Sequence, residues 1–265
     1  MSLRIQNNVE ALGAHRSLTA TSEKIAKSME RLSSGYRINR AADDAAGLAI
    51  SERMRSQING LSQANRNIQD GVSLVQTAEG NLDEVHSMLQ RVRELAVQYK
   101  NGTLSTSDQA AIQTEVDQLA SEIERIGTSA KFNGITLLAT SGTVTFQVGV
   151  NDGDSITVST ISLGSSLGSF TGLGNTTAIS AIDAAISAVS SARATFGAVQ
   201  NRLEHSMAST QVYAENLTAA ESRVRDVDMA AEMVELTKNQ ILQQAGTSML
   251  AQANQAPQSI LSLLR

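Results

Sequence analysis

Apolar residues between about Asp44 and Tyr99 recur three and four positions apart. Ile58, Leu61, Ile68, Val72 and Val75 form one run, and Ala78, Leu82, Val85, Leu89, Val92 and Ala96 continue it one step out of phase. This spacing predicts a single long helix with a coiled-coil seam. Asn65 falls either on the seam, where a buried amide fixes register, or beside it in solvent. A helix of that length extends roughly 80 Å at the α-helical rise, whereas a compact globe of 265 residues is roughly 50 Å across. The pattern therefore implies an elongated molecule. Asn101-Gly102 ends the helix, Ser105, Ser107 and Asp108 offer caps for a second, and Ile112, Val116, Leu119, Ile123 and Ile126 form its stripe. A short connection makes the two helices antiparallel neighbours.

Helical periodicity stops in the middle of the chain. Of the 38 residues from Thr140 to Thr177, 22 are Ser, Thr or Gly and none is Lys or Arg, a composition that replaces helix with strand and loop. Val144, Phe146, Val148 and Val150 alternate, Asn151-Asp152-Gly153-Asp154 turns, and Ile156 and Val158 alternate on the return. A β-hairpin is predicted over about 140–161, followed by a flexible Gly/Ser stretch over 162–177. Helix resumes with Ile179, Ile182, Ile186, Val189, Phe196, Leu203 and Met207, then Leu217, Ala220, Val224 and Val227, with Arg193 and Gln200 interrupting the seam.

The fold class is thus mainly α: an elongated antiparallel helical bundle or coiled coil built from N- and C-terminal helices, with a small β-hairpin region at mid-chain. Residues 1–44 and 226–265 are expected to form one terminal coiled-coil domain and 45–225 a rod-like helical domain. Seven basic against three acidic residues give +4 over residues 1–40, while 226–265 carries −2, so charge favours pairing of the two arms. Ile5, Val9 and Leu12 lie on one side of the first arm, and Leu18, Ile25, Met29 and Leu32 on nearly the opposite side. One partner cannot cover both. In the second arm, Asn239 to Leu264 holds no charged residue over 26 positions, yet its glutamines and asparagines make a membrane span too expensive. Such a helix suits burial after assembly.

Composition removes other possibilities. The chain has 4 Phe, 3 Tyr, 1 Pro, no Trp and no Cys, so an aromatic-centred globe, disulfides, thiolate metal sites and cysteine nucleophiles are excluded. A net charge of −5 argues against general nucleic-acid binding, and no run of 18 apolar residues spans a bilayer. The first 30 residues, broken by charges, contain no apolar segment of a cleavable signal peptide. His15, His86 and His205 are scattered without companion ligands, and phosphate-binding glycine motifs are missing. Neither catalytic residues, nor a metal, nor a cofactor is expected. Asp43-Asp44 reads as a helix cap ahead of Ala45, and Arg91 and Glu94 are spaced for an i, i+3 ion pair.

Several segments are nevertheless distinctive. Leu32-Ser33-Ser34-Gly35-Tyr36-Arg37-Ile38-Asn39, Ala41-Ala42-Asp43-Asp44-Ala45-Ala46-Gly47, Gln90-Arg91-Val92-Arg93-Glu94-Leu95, Phe146-Gln147-Val148-Gly149 and Ala253-Asn254-Gln255-Ala256-Pro257-Gln258-Ser259 closely resemble bacterial flagellin, in a short form without outer variable domains. The resemblance implies a structural subunit, not an enzyme, that polymerises into the extracellular flagellar filament for motility. It implies export without signal cleavage through the flagellar type III apparatus. The expected partners are further copies of the chain, an export chaperone, and cap and hook-filament junction proteins, with no nucleic acid and no membrane insertion. Subunit packing is expected of Ile5, Val9, Leu12, Leu32, Asp43, Asp44, Ile241, Met249, Leu250, Ile260 and Leu261. Gln90, Arg91, Glu94, Leu95 and Glu115 match the places by which such proteins engage the host innate receptor Toll-like receptor 5. Leu263, Leu264 and Arg265 resemble the end sensed by cytosolic innate receptors. A hook-filament junction protein is the nearest alternative, and a coiled-coil adhesin or adaptor the next.

Overall fold

The computed structural model describes residues 8–163, 173 and 178–263, with side chains through residue 255. The elements described are helices α1 (Val9–Ser34), α2 (Ala45–Tyr99), α3 (Thr106–Ser129), α4 (Ala178–Arg225) and α5 (Met229–Leu263), and strands β1 (Lys131–Phe132), β2 (Ile135–Thr136), β3 (Gly142–Gln147) and β4 (Ser155–Thr160). They form two compact units, one from the chain ends up to residue 56 and from 217, the other from residues 57–216.

In the terminal unit α1 and α5 pair antiparallel. The Asn8 side chain caps α1 by accepting from the Ala11 N–H, and its amide donates to the Ala253 carbonyl at 2.8 Å. Leu18 packs over Gly246, where an added Cβ would meet Leu18 Cδ1 at 3.4 Å. Arg31 pairs with Glu232 at 3.4 Å. Gly35, at φ 76°, ends α1 in the left-handed conformation that a side chain resists. The chain then pairs briefly with the segment before α5: Arg37 N–H donates to the Arg225 carbonyl at 2.7 Å, and Val227 N–H to the Gly35 carbonyl at 3.0 Å.

The second unit is built on the long seam of α2. Ile68, Val75, Ala78, Leu82, Val85 and Leu89 are all fully buried, packed with Ile123 of α3 and Val189, Phe196 and Leu203 of α4. The phase step in the seam leaves no gap, because the buried positions follow the helix surface around. A second cluster joins Val92, Leu95 and Ala96 to Ile112, Val116 and Ile182. Ser105 and Asp108 form a reciprocal capping box at the start of α3. Arg193, which interrupts the α4 stripe, is half-buried and reaches Asp83 on α2 at 2.9 Å. Asn65 is half-buried, its Oδ1 enclosed without a partner.

The hairpin forms with Val144 opposite Val158 and Phe146 opposite Ile156, and its apolar positions join the core. A smaller hairpin, β1–β2, precedes it, turning at Asn133 (φ 47°) and Gly134 (φ 81°), the residue pair favoured where both central positions need positive φ. Of the Gly/Ser stretch, Ser162 donates from Oγ to the Ala139 carbonyl at 3.2 Å, and Leu163 and Leu173 are buried; the rest lies outside the described residues.

Candidate functional site

Three surfaces carry the residues singled out by sequence. The first is the loop between α1 and α2. Asp44 is the N-cap of α2: its Oδ1 accepts from Gly47 N–H at 2.9 Å and its carbonyl from Leu48 N–H at 3.0 Å. Gly47 is required by this closeness, since a Cβ there would lie 2.5 Å from Asp44 Oδ2. Asp43 turns back to the loop, accepting from Lys27 Nζ at 2.6 Å and from the Arg40 and Asn39 N–H groups at 3.2 and 3.3 Å. The Lys27 ammonium and the two backbone donors hold its carboxyl at about 2, below the ordinary 3.8, against a smaller opposing effect of burial. Arg225 stacks over the Tyr36 ring, 4.8 Å from the centroid, and bonds Glu52 at 2.7 Å. The loop is therefore locked to α1, α2 and the end of α4.

The second surface is the outward side of the α1–α5 pair. Along α5, Glu232, Leu236, Asn239, Gln243, Gly246, Leu250 and Ala253 are buried or half-buried, a stripe of three- and four-residue steps that faces α1. Among the described side chains, the large apolar residues off that stripe are wet: Met229 and Met233 are each 50% exposed, Val234 69%, Ile241 63%, Leu242 49% and Met249 67%. On α1, Leu18, Ile25 and Leu32 are half-buried at seven-residue intervals, while Val9 and Leu12 are each 61% exposed; Met29, expected on the side of Leu18, is instead 55% exposed, because it lies off the seven-residue line that meets α5. The two sides of the first arm are thus separated, one spent on α5 and one left open. Leu32 and Leu250 lie on the inward stripes, and Val9, Leu12, Ile241 and Met249 on the outward surface. Ile5 lies outside the described residues, as do the side chains of Ile260, Leu261 and Leu263 and the whole of Leu264 and Arg265. Met229, Met233, Val234 and Leu242 escaped the sequence reading, although the position of the inward stripe, once known, assigns them outward.

The third surface is where α2 and α3 run together. Arg91 Nη2 and Nε bond one oxygen of Glu115 at 2.9 and 3.1 Å, and Nη1 reaches Glu94 at 3.3 Å. Glu115 first and Glu94 second stabilise the guanidinium charge and raise its pKa. Gln90, next to Arg91 in the chain and one turn before Glu94, joins them on the exposed surface and meets His86, one turn further back, at 3.0 Å. Arg91, Glu115, Glu94 and Gln90 form one polar patch. Leu95 is not on it: at 2% exposure it belongs to the core beneath. Among the described residues no group of three His, Cys, Asp or Glu side chains is arranged to hold a metal ion, and no helix is long and apolar enough to cross a membrane.

The family profile of the bacterial flagellin N-terminal helical region matches residues 5–143, and that of the C-terminal helical region matches 179–264. The chain is 54% identical over 270 residues to a flagellin of Halalkalibacterium halodurans, covering 98% of this chain and 99% of that one. It belongs to the bacterial flagellin family. Among other similar proteins, the flagellar filament 33 kDa core protein of Treponema phagedenis is 49% identical over 98% of this chain and 99% of its own length. The crystal structure of Bacillus cereus flagellin superposes with a TM-score of 0.50 at 33% identity, covering 59% of this chain and 94% of that one. As a flagellin the chain is a structural subunit of the flagellar filament, and its family is not one of enzymes.

Proposed function

We propose that this flagellin self-polymerises through its terminal unit, the α1–α5 pairs of successive copies packing side by side as the inner tube of the filament and residues 45–225 forming the outer layer. The observation that carries this reading is the outward apolar surface: nine large apolar side chains on one helix pair, each about half exposed or more (Val9, Leu12, Met29, Met229, Met233, Val234, Ile241, Leu242 and Met249). An isolated soluble protein does not keep so much apolar surface wet without a partner, and a surface distributed around both helices calls for more than one neighbour. Copies of the same chain supply them with open helical symmetry. Sheared filaments added to the purified protein should grow; the chain cut after residue 238 should not extend them, while residues 57–216 keep their helical signal. Growth by the cut chain would refute the assignment.

The same reading extends to the way out of the cell and to neighbours in the filament: export through the flagellar type III apparatus with a chaperone on the C-terminal arm, and contact with cap and junction proteins at the filament ends. The uncharged segment 239–264 supports this, since it threads a channel without desolvating charges. The Arg91, Glu115, Glu94 and Gln90 patch is read as the surface engaged by Toll-like receptor 5, with Leu95 supporting it from below, and Leu263 to Arg265 as the end met by cytosolic sensors. Arg91→Ala combined with Glu115→Gln should lower receptor signalling by soluble monomer at least tenfold; unchanged signalling refutes the receptor reading and leaves the assembly reading untouched.

A further inference from the structure

The sulfur chemistry of the chain is distributed unevenly. Of the seven methionines among the described residues, Met29, Met229, Met233 and Met249 are 50–67% exposed, and all four lie on α1 and α5. Met54, Met88 and Met207, on α2 and α4, are half-buried, and the last two pack against the core. The chain contains no Cys and no Trp. No thiol or indole therefore competes for a two-electron oxidant, and the exposed thioethers are its first targets in the free subunit. Met233 lines a shallow depression with Val234 and Ile241 on the open surface of α5, and Met229 is exposed one helical turn before it.

We propose that Met29, Met229, Met233 and Met249 form an oxidation site that gates assembly: hydrogen peroxide converts them to sulfoxides in the free subunit, and the oxidised subunit no longer adds to a filament end. The thioether sulfur attacks one peroxide oxygen, the O–O bond breaks, an S–O bond forms and water leaves, sulfur losing the two electrons that peroxide gains. The product is polar and a strong hydrogen-bond acceptor, and it occupies positions that must lose water when the helix pair is covered by its neighbours. A subunit already in the filament has those sulfurs shielded. The reaction thus acts on subunits awaiting incorporation, and thiol-dependent sulfoxide reduction, which returns the oxygen as water and leaves a disulfide on the reductant, reverses it. The proposal rests on the assembly reading given above.

The test uses the full-length protein, a limited dose of hydrogen peroxide, peptide mass spectrometry for each methionine, and elongation of sheared filament seeds. Met29, Met229, Met233 and Met249 should convert several-fold faster than Met54, Met88 and Met207, and the oxidised protein should need at least tenfold more subunit to elongate. The variant M29L/M229L/M233L/M249L, close in volume and shape, should elongate equally well with or without peroxide. A pair of methionine sulfoxide reductases, one for each epimer, should restore the oxidised parent. Elongation of the oxidised parent at the untreated concentration, or equal inhibition of the leucine variant by peroxide, overturns the proposal. If the leucine variant does not elongate untreated, the reductase arm decides: recovery supports the proposal and no recovery overturns it. Untreated parent that fails to elongate seeds overturns the assembly reading itself, an outcome distinct from the others.

Discussion

The outward side of α5 lends itself to a quantitative test with Val234→Asp and Ile241→Asp in one chain. Val234 and Ile241 are 69% and 63% exposed, so about two thirds of each side chain stays wet after α5 pairs with α1. Covering a whole side chain of this size contributes about 1.5–3 kcal/mol; covering two thirds contributes about 1–2 kcal/mol each, or about 2–4 kcal/mol for the pair. At roughly 1.4 kcal/mol per tenfold, the lost burial alone raises the critical concentration for elongation by about 30- to 1000-fold. Enclosing two unpaired carboxylates adds to that. The fold should hardly notice: both positions are exposed, Asp and the β-branched residues have similar helix propensity, and substitutions at such sites stay within about 0.5 kcal/mol. Circular dichroism of the variant should match the parent, while pelleting of seeded reactions shows little or no polymer at concentrations where the parent converts fully. Two results would refute the reasoning. One is elongation at the parental critical concentration; the other is loss of helix in the free variant, which would make these residues part of the fold rather than of the assembly surface.

Other outcomes follow from particular contacts. Gly149→Ala places a Cβ 2.5 Å from the Cβ of Asp154 and should destabilise the second unit by about 1–3 kcal/mol in urea unfolding; adding Asp154→Gly should recover part of the loss and Asp154→Ala should not, because Ala keeps the clashing atom. Asp43→Asn should loosen the α1–α2 loop by about 1 kcal/mol at pH 7, discounted because Lys27 is half exposed. The folded carboxyl ionises near 2 and the free one near 3.8, so the contribution is complete above the free value and disappears as pH falls through the folded one; a gap between parent and variant in amide exchange at Gly47 and Leu48 that persists below pH 2 would contradict this. Gly80 lies in mid-α2 with nothing within 4 Å of an added Cβ, and Gly80→Ala should raise stability by about 1 kcal/mol, read as a higher urea midpoint.

Much of the fold was legible because its long helices announce themselves by period. The α2 seam, the α3 stripe, the hairpin and the Asp44 cap are all short-range patterns that formed close to where they were read, although the alternation continues through Val150 whereas β3 ends at Gln147. The β1–β2 hairpin was not read, because two-residue strands leave no alternation to detect; Asn133-Gly134 was the available signal. Leu163 and Leu173 were hidden within a Ser/Gly composition that reads as loop, although each inserts into a core cluster. On the surfaces, the ion network of Arg91 was only half visible: the Glu94 partner is one turn away on the same helix, whereas Glu115 comes from α3 across a tertiary contact that spacing does not encode. Leu95 illustrates the same limit, since its burial depends on Leu173 and Ile182 arriving from distant segments. Which apolar face of each arm is spent within the chain likewise depended on knowing how α1 sits on α5.

The pairing of α1 with α5 also sets a schedule. Its contacts join residues 201 positions apart at Arg31 and Glu232 and 245 apart at Asn8 and Ala253, so closing them carries close to the largest loop entropy this chain offers. The α2–α3 and hairpin contacts close over a few tens of residues and are available far earlier. A chain emerging from its amino end therefore finishes the middle first, and its leading arm waits, unmatched, until the last segment arrives.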